Sequence, residues 1–178
     1  SMADRAGMQV HRGSETDVLG RFFDAAKTHS ASSVVRVCAD NPFVDPIHID
    51  RLIDFYSEGE LDYACNHRPA FEERHIDGFG AEILSMKTLT WLNNNVQTAS
   101  HREHVTSYIH EHRHRFSCGS PPSLLGNIFT DFSFDVDTNE QLEGLRQLVR
   151  AGASTDSSAS DIVDLYKKTL GKRINKKC

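Results

Sequence analysis

Apolar positions recur along this chain at helical and strand spacings by turns. Val18, Phe22, Ala25 and Ala26 share one face of a helix predicted over residues 14–28, with Ser14 as its cap and Asp17 three residues on. Residues 33–38 are a near-continuous apolar run, as in a central parallel strand. Asp45-Pro46 predicts the next helix, with Ile49, Leu52, Ile53 and Tyr56 on its buried face. "LDYACN" (61–66) and "GAEIL" (80–84) read as strands, and Ser85 caps a helix through Asn94. Ser100-His-Arg-Glu103 has the form of a capping box opening a helix to about His112, followed by a strand at "RFSC" (115–118). "DFSFDV" (131–136) alternates strictly: Phe132, Phe134 and Val136 face one way, Ser133, Asp135 and Asp137 the other, which predicts a strand. Thr138 and Gln141 form a capping box for a helix through Val149, and Ser160 starts a last helix carrying Ile162, Val163, Leu165 and Tyr166.

This alternation predicts an α/β fold, a mostly parallel sheet with helices on both faces. The expected division is an α/β domain over 1–150, then a Ser-rich linker, an amphipathic helix and a frayed basic tail over 151–178. Residues 67–79 are polar and irregular, a long loop of the kind that carries function. The chain opens on a helix, and "MQVHRG" (8–13) is at best one short strand ahead of it.

Composition narrows the function classes. A chain of 178 residues, 38% hydrophobic and 25% charged, suits one ordinary domain with a sizeable core. A net charge of −5 argues against a nucleic-acid partner, and no run is long enough to span a membrane. Cys38, Cys65, Cys118 and Cys178 are far apart without a C-x-x-C pair, which predicts reduced thiols and a cytoplasmic protein.

The candidate chemistry lies at strand ends. In "VVRVCADNPFVDP" (34–46) the run ends at Asp40, and "DFSFDVD" ends at Asp137, each just before a helix begins. Ligands in open parallel sheets bind beyond the carboxyl ends of strands. Two carboxylates there suit Mg²⁺ on a polyphosphate; an aspartate alone reads first as a turn or cap residue, and only the matched pair brings the two readings level. "HEHRH" (110–114) fits the zinc-protease pattern with His110, Glu111 and His114, but it falls where the helix should end, in a histidine-rich stretch. Arg102, Glu103 and His104 cluster in one predicted first helical turn, while Asp77 and Glu82 flank the glycines of "HIDGFGAEIL". No phosphate-binding loop motif and no G-x-S-x-G are present.

Taken in order, these blocks resemble the cytidylyltransferases of the spore coat polysaccharide biosynthesis protein F type, relatives of CMP-KDO and CMP-acylneuraminate synthetases. "HRGSETDVLGRFFDAA" resembles the segment leading into that family's central strand, and "VVRVCADNPFVDP" its "VVRV-TGD-CPLIDP" signature. "DYACN", "DGFGAEILS" and "REHVTSYI" resemble successive blocks, and "FDVDTNEQLE" the closing V-D-T-P-E-D-L-E. The resemblance covers most of residues 8–150.

The resemblance implies a nucleotide-diphospho-sugar transferase fold. It implies transfer of CMP from CTP to a sugar, often acidic, for surface polysaccharide or glycoprotein glycans, with subunits that can pair as a homodimer. Carried over by motif, Asp40 and Asp137 are metal ligands for Mg²⁺, and Arg36 and Asp40 contact the nucleotide. Asn66, Asp77, Glu82, Arg102, Glu103 and His104 fall on the sugar side.

Departures bear on activity. The family's N-terminal block, with its first strand and triphosphate-cradling loop, has no counterpart here, so the domain reads as N-terminally truncated, and activity of this chain alone stays open. Ala39 stands where the family has Gly; Asn41, Ser107 and Asn139 replace a Cys and two Pro. The alternative reading is a degenerate domain of the same fold that acts in binding or dimerisation.

Overall fold

A computed structural model of the chain describes residues 2–68, 70–126 and 132–171. In chain order the elements are α1 (Met2–Arg5), α2 (Val18–Thr28), β1 (Ser33–Arg36), α3 (Pro46–Glu58), β2 (Tyr63–Cys65) and β3 (Glu82–Ser85). There follow α4 (Met86–Asn95), α5 (Ala99–Glu103), α6 (Ser107–Glu111), a 3₁₀ turn (Arg113–Arg115), β4 (Cys118–Gly119), α7 (Asn139–Arg150) and α8 (Ala159–Thr169). The four strands form one mixed sheet in the order β1-β3-β2-β4, within the expected α/β class.

Several helix starts follow the predicted chemistry. Ser85 Oγ accepts the Thr88 N–H at the head of α4, and Thr138 and Gln141 complete a reciprocal capping box on α7. Others shift. Asp17, not Ser14, caps α2 by accepting the Gly20 N–H at 2.9 Å, because Ser14 Oγ is taken by the Asp17 N–H at 3.0 Å. Ser158, not Ser160, caps α8.

Two predicted elements are corrected. The helix expected over 100–112 is broken into α5 and α6, and Ser100 lies inside α5 rather than capping it. The break is held by His104, whose carbonyl takes both the N–H and the hydroxyl of Ser107, at 2.8 and 2.7 Å. The strand expected at 131–136 does not form over 132–136, and residue 131 lies outside the described residues. Its alternation survives: Phe134 is fully buried, with Phe132 and Val136 packed against the same core. But its N–H groups bond to single carbonyls of two loops, Phe134 to Asp77 and Val136 to Asp40, so no ladder is built.

The chain forms two compact units. The first comprises Ser1–Val34, Leu61–Tyr63 and Leu84–Cys118. Its core holds Leu19, Tyr63, Leu89, Leu92, Val105 and Ile109, with α2 packed on α4 and α5. The second comprises Val35–Glu60, Ala64–Ile83 and Gly119–Cys178. There Phe43, Phe79, Phe134, Leu145, Leu148, Ile162 and Tyr166 cluster, with Phe79 and Phe134 ring centroids 4.7 Å apart. Among the described residues no helix is long and apolar enough to cross a membrane.

Gly78 is a tight point of the second core. Its φ is +108°, and a Cβ there would lie 2.5 Å from the Phe134 backbone carbon. Both the backbone conformation and the close approach require glycine. Gly78→Ala is expected to lower unfolding free energy by about 2–4 kcal/mol in urea titration.

Candidate active site

The second unit gathers its carboxylates at the loop after β1. The Val136 N–H donates to the Asp40 carbonyl at 3.0 Å, which brings the chain leading into Asp137 against Asp40. The Phe134 N–H donates to the Asp77 carbonyl at 2.9 Å, tying the long loop to the same segment. Asp40 and Asp137 are exposed and Asp77 is half-buried. Burial raises the Asp77 carboxyl to about 6, and the charges of Asp135 and Asp40 push it the same way. Asp77, Asp135 and Asp40 therefore share one electrostatic neighbourhood.

Gln141 organises this edge from the first turn of α7. Its Oε1 accepts the backbone N–H groups of Asp137 and Thr138, while its Nε2 donates to Ser133 Oγ and Asp135 Oδ1. Sequence reasoning assigned Gln141 to a capping box and left Asp135 without a role. The signal for Asp135 was present, since it shares the polar face of its segment with Ser133 and Asp137.

Below the acidic edge lies a buried ion pair. Glu82 is 1% exposed, and Arg36 donates to its Oε2 at 2.6 Å. His67 Nε2 stands 3.8 Å from the other oxygen. Burial lowers the His67 pKa, and the Glu82 charge works against that shift. Cys38 sits between Arg36 and Asp40 in sequence, and burial raises its thiol pKa, which disfavours a reactive thiolate.

Asn66 is committed to the scaffold. Its Nδ2 donates to the His48 carbonyl at 2.6 Å, and its Oδ1 accepts the Ala81 N–H at 3.0 Å. A Cβ on Gly80 would collide with Asn66, so the glycine permits this clasp.

His75 anchors the same loop. Ser120 Oγ donates its one hydrogen to the Cys65 carbonyl, so His75 Nε2–H is the donor to Ser120 at 2.8 Å. Nδ1 is then a buried acceptor that makes no hydrogen bond among the described residues. Burial lowers the His75 pKa to about 4. A folded pKa below the ordinary histidine value means stability is full above about 6.5 and lost as pH falls through about 4. His48 and His67, also lowered by burial, act in the same direction, and Asp77 opposes them over its own window. Between pH 7 and 4.5, His75→Gln is expected to lose about 1–2 kcal/mol less unfolding free energy than the parent, read from urea titrations at both pH values.

Arg102, Glu103 and His104 belong to the first unit. Arg102 grips Asp17 with two N–H groups, at 2.8 and 2.9 Å, and bonds to the carbonyls of Asn93 and Val96 and to Asn93 Oδ1. All five donors of the guanidinium are engaged there. The Arg102 hydrogen bonds lower the Asp17 pKa. Glu103 and His104 are exposed. The zinc pattern is not assembled: α6 ends at Glu111, His114 lies in the 3₁₀ turn, and His110 Nε2 is 3.0 Å from the Tyr63 hydroxyl.

The residues of the acidic edge fit a hard divalent cation in chemistry. Among the described residues no group of three or more His, Cys, Asp and Glu could hold a metal by itself. A Mg²⁺ site completed by phosphate oxygens and water needs only one or two carboxylates, and clustered aspartates offer those.

Comparison with known proteins bears on this arrangement. The profile of the cytidylyltransferase family matches residues 2–171. Spore coat polysaccharide biosynthesis protein SpsF of Bacillus subtilis (strain 168) is 28% identical over 90% of this chain and 65% of its own length. Uncharacterized protein MJ1063 of Methanocaldococcus jannaschii is 32% identical over 70% of this chain and 49% of its own length. The chain thus spans about half to two thirds of the curated relatives it matches. The solved structure of a cytidylyltransferase from Leptospira borgpetersenii serovar Hardjo-bovis (strain JB197) superposes with a TM-score of 0.85 at 26% identity, over 96% of this chain and 70% of that one.

Proposed function

Because the chain belongs to the cytidylyltransferase family, we propose that the protein transfers CMP from CTP to a sugar hydroxyl in glycan synthesis and releases pyrophosphate. The observation that carries this reading is the convergence of Asp40, Asp77 and Asp135 on one edge, with Asp137 one residue beyond the hydrogen bond that closes it.

In this proposal Asp40 and Asp137 hold Mg²⁺, and the ion when bound offsets the negative charge of the triphosphate. The protein's part is position and charge. Gln141 fixes the backbone of Asp137 through its N–H and restrains Asp135. Glu82 holds Arg36 through a hydrogen bond at 2.6 Å, and in this reading Arg36 serves the nucleotide phosphate. Asp77, with a carboxyl near neutrality, serves the sugar side as a hydrogen-bond partner for hydroxyls. Asn66 and Arg102 act as scaffold, since their polar atoms are engaged internally. We assign an acidic sugar as acceptor, paired subunits and a cytoplasmic location as parts of the same proposal; the described cysteines Cys38, Cys65 and Cys118 are free thiols.

The test is an assay with CTP, Mg²⁺ and a panel of sugar acids, following pyrophosphate. Turnover that needs both the sugar and the metal supports the reading. A well-folded protein that releases no pyrophosphate with any sugar acid sinks it in favour of a non-catalytic domain of the same fold.

A further inference from the structure

A second concavity lies wholly in the first unit, beside the chain's one tryptophan. It encloses about 410 Å³ between α4, the 3₁₀ turn and Phe116. That volume is within the range of small-molecule sites, about 300–1,000 Å³. It shares no residue with the acidic edge.

Its lining has three chemical parts. Lys87, Trp91, Asn94 and Asn95 recur along one flank of α4, at offsets that place them on one side of a helix. Trp91 and Phe116 make an apolar wall, their ring centroids 5.5 Å apart and nearly perpendicular. Arg115 lies 4.9 Å from the Trp91 ring centroid, the geometry of a cation–π contact. The Arg115 guanidinium also donates to the Tyr108 hydroxyl at 2.7 Å, which fixes its direction.

Charge in the pocket is positive within a chain of net charge −5. The one carboxylate in the lining, Asp62, is tied back: its oxygens accept the Ser117 N–H at 3.0 Å and the Thr88 hydroxyl at 3.4 Å. Among the described residues no ion pair engages Lys87 or Arg115. Two cations facing an open cavity select an anion.

The remaining groups select its shape. A nucleobase would need an open aromatic face, but Arg115 lies over the Trp91 ring and Phe116 meets it edge-on. What the pocket offers is an apolar wall, two carboxamides and two cations. A sugar ring matches each: C–H groups for the wall, hydroxyls for Asn94 and for Asn95 Oδ1, since Asn95 Nδ2 already donates to the Trp91 carbonyl at 2.8 Å, and a ring carboxylate for Arg115 and Lys87. We propose that this pocket is a binding site for an acidic sugar, separate from the transfer chemistry and independent of whether this chain turns over CTP.

Trp91 makes the test direct, because its fluorescence is the only tryptophan signal of the chain. The protein is titrated with glucuronate, glucose, inorganic phosphate and CTP, with calorimetry run in parallel so that an optically silent complex is still seen. Saturable binding of glucuronate at millimolar concentration is expected, with glucose at least about tenfold weaker. Arg115→Ala is expected to weaken glucuronate by at least about tenfold, and Asn94→Ala by severalfold, with circular dichroism unchanged. The proposal is overturned if calorimetry shows no glucuronate binding, or if glucose binds as well as glucuronate. It is equally overturned if phosphate alone matches glucuronate, which marks a bare anion site, if CTP binds there more tightly, or if a folded Arg115→Ala binds glucuronate like the parent.

Discussion

Asp45→Ala will cost about 3–4 kcal/mol of unfolding free energy, more than removal of an ordinary helix cap, which costs about 1 kcal/mol. Asp45 is 5% exposed, and its two carboxylate oxygens serve two different helices. Oδ1 accepts the Ile47 N–H in the first turn of α3, at 2.9 Å. Oδ2 accepts the N–H of Ala159, the first residue of α8, at 2.8 Å. The Asp45 N–H itself donates to the Phe79 carbonyl at 2.9 Å. Alanine leaves two N–H groups without their acceptor, and the buried Ala159 group has no water to replace it. Asp45→Ser retains the local cap on α3 and loses the link to α8, so about half the loss is expected. Urea titration of both variants at pH 7 gives the comparison, with unchanged slope showing that only stability moved. A loss below about 1 kcal/mol for Asp45→Ala would mean that the link to α8 contributes nothing.

Asp137→Asn is expected to reduce CMP transfer by about 10²–10³-fold while leaving the thermal midpoint nearly unchanged. Asp137 is exposed and its side chain supports no described hydrogen bond; the fold uses only its backbone N–H, through Gln141. The amide is isosteric but neutral, so it keeps local shape and removes charge. Asp40→Asn carries the same expectation, because the Asp40 carbonyl, not its carboxylate, accepts the Val136 N–H. Each variant should also need more Mg²⁺ for half-maximal turnover. Normal turnover by either one, at the parent's Mg²⁺ requirement, removes that aspartate from the metal role. Gln141→Ala separates position from charge: it keeps both carboxylates but frees the Asp137 and Thr138 N–H groups, so a partial loss of rate is expected.

Local chemistry was legible wherever one short segment decides the outcome. Asp45-Pro46, Ser85 and the Thr138–Gln141 box named their helices, because a cap and its N–H partner lie within three residues of each other. The alternation at Phe132, Phe134 and Val136 told which side chains enter the core, and the ordered motif blocks pointed to the cytidylyltransferase family. The strand at that segment was misread because alternation reports burial, whereas a strand also needs a neighbouring ladder, and Asp40 and Asp77 each provide one carbonyl. The continuous helix over 100–112 was misread because a capping-box pattern at Ser100 does not reveal the turn at His104.

Helix starts, core-facing positions and the family followed from the sequence by itself, since each rests on contacts between near neighbours or on residues read in order. Only the tertiary structure decided which polar groups remain for chemistry. Arg102 and Asn66 look like ligands in a sequence, yet their donors and acceptors are engaged by partners up to 85 residues away. Asp45 looks like a simple cap, yet its second oxygen holds a helix 114 residues on. A buried polar group must find a partner wherever the fold brings one, so the partners of such groups are properties of the folded chain and not of its local pattern.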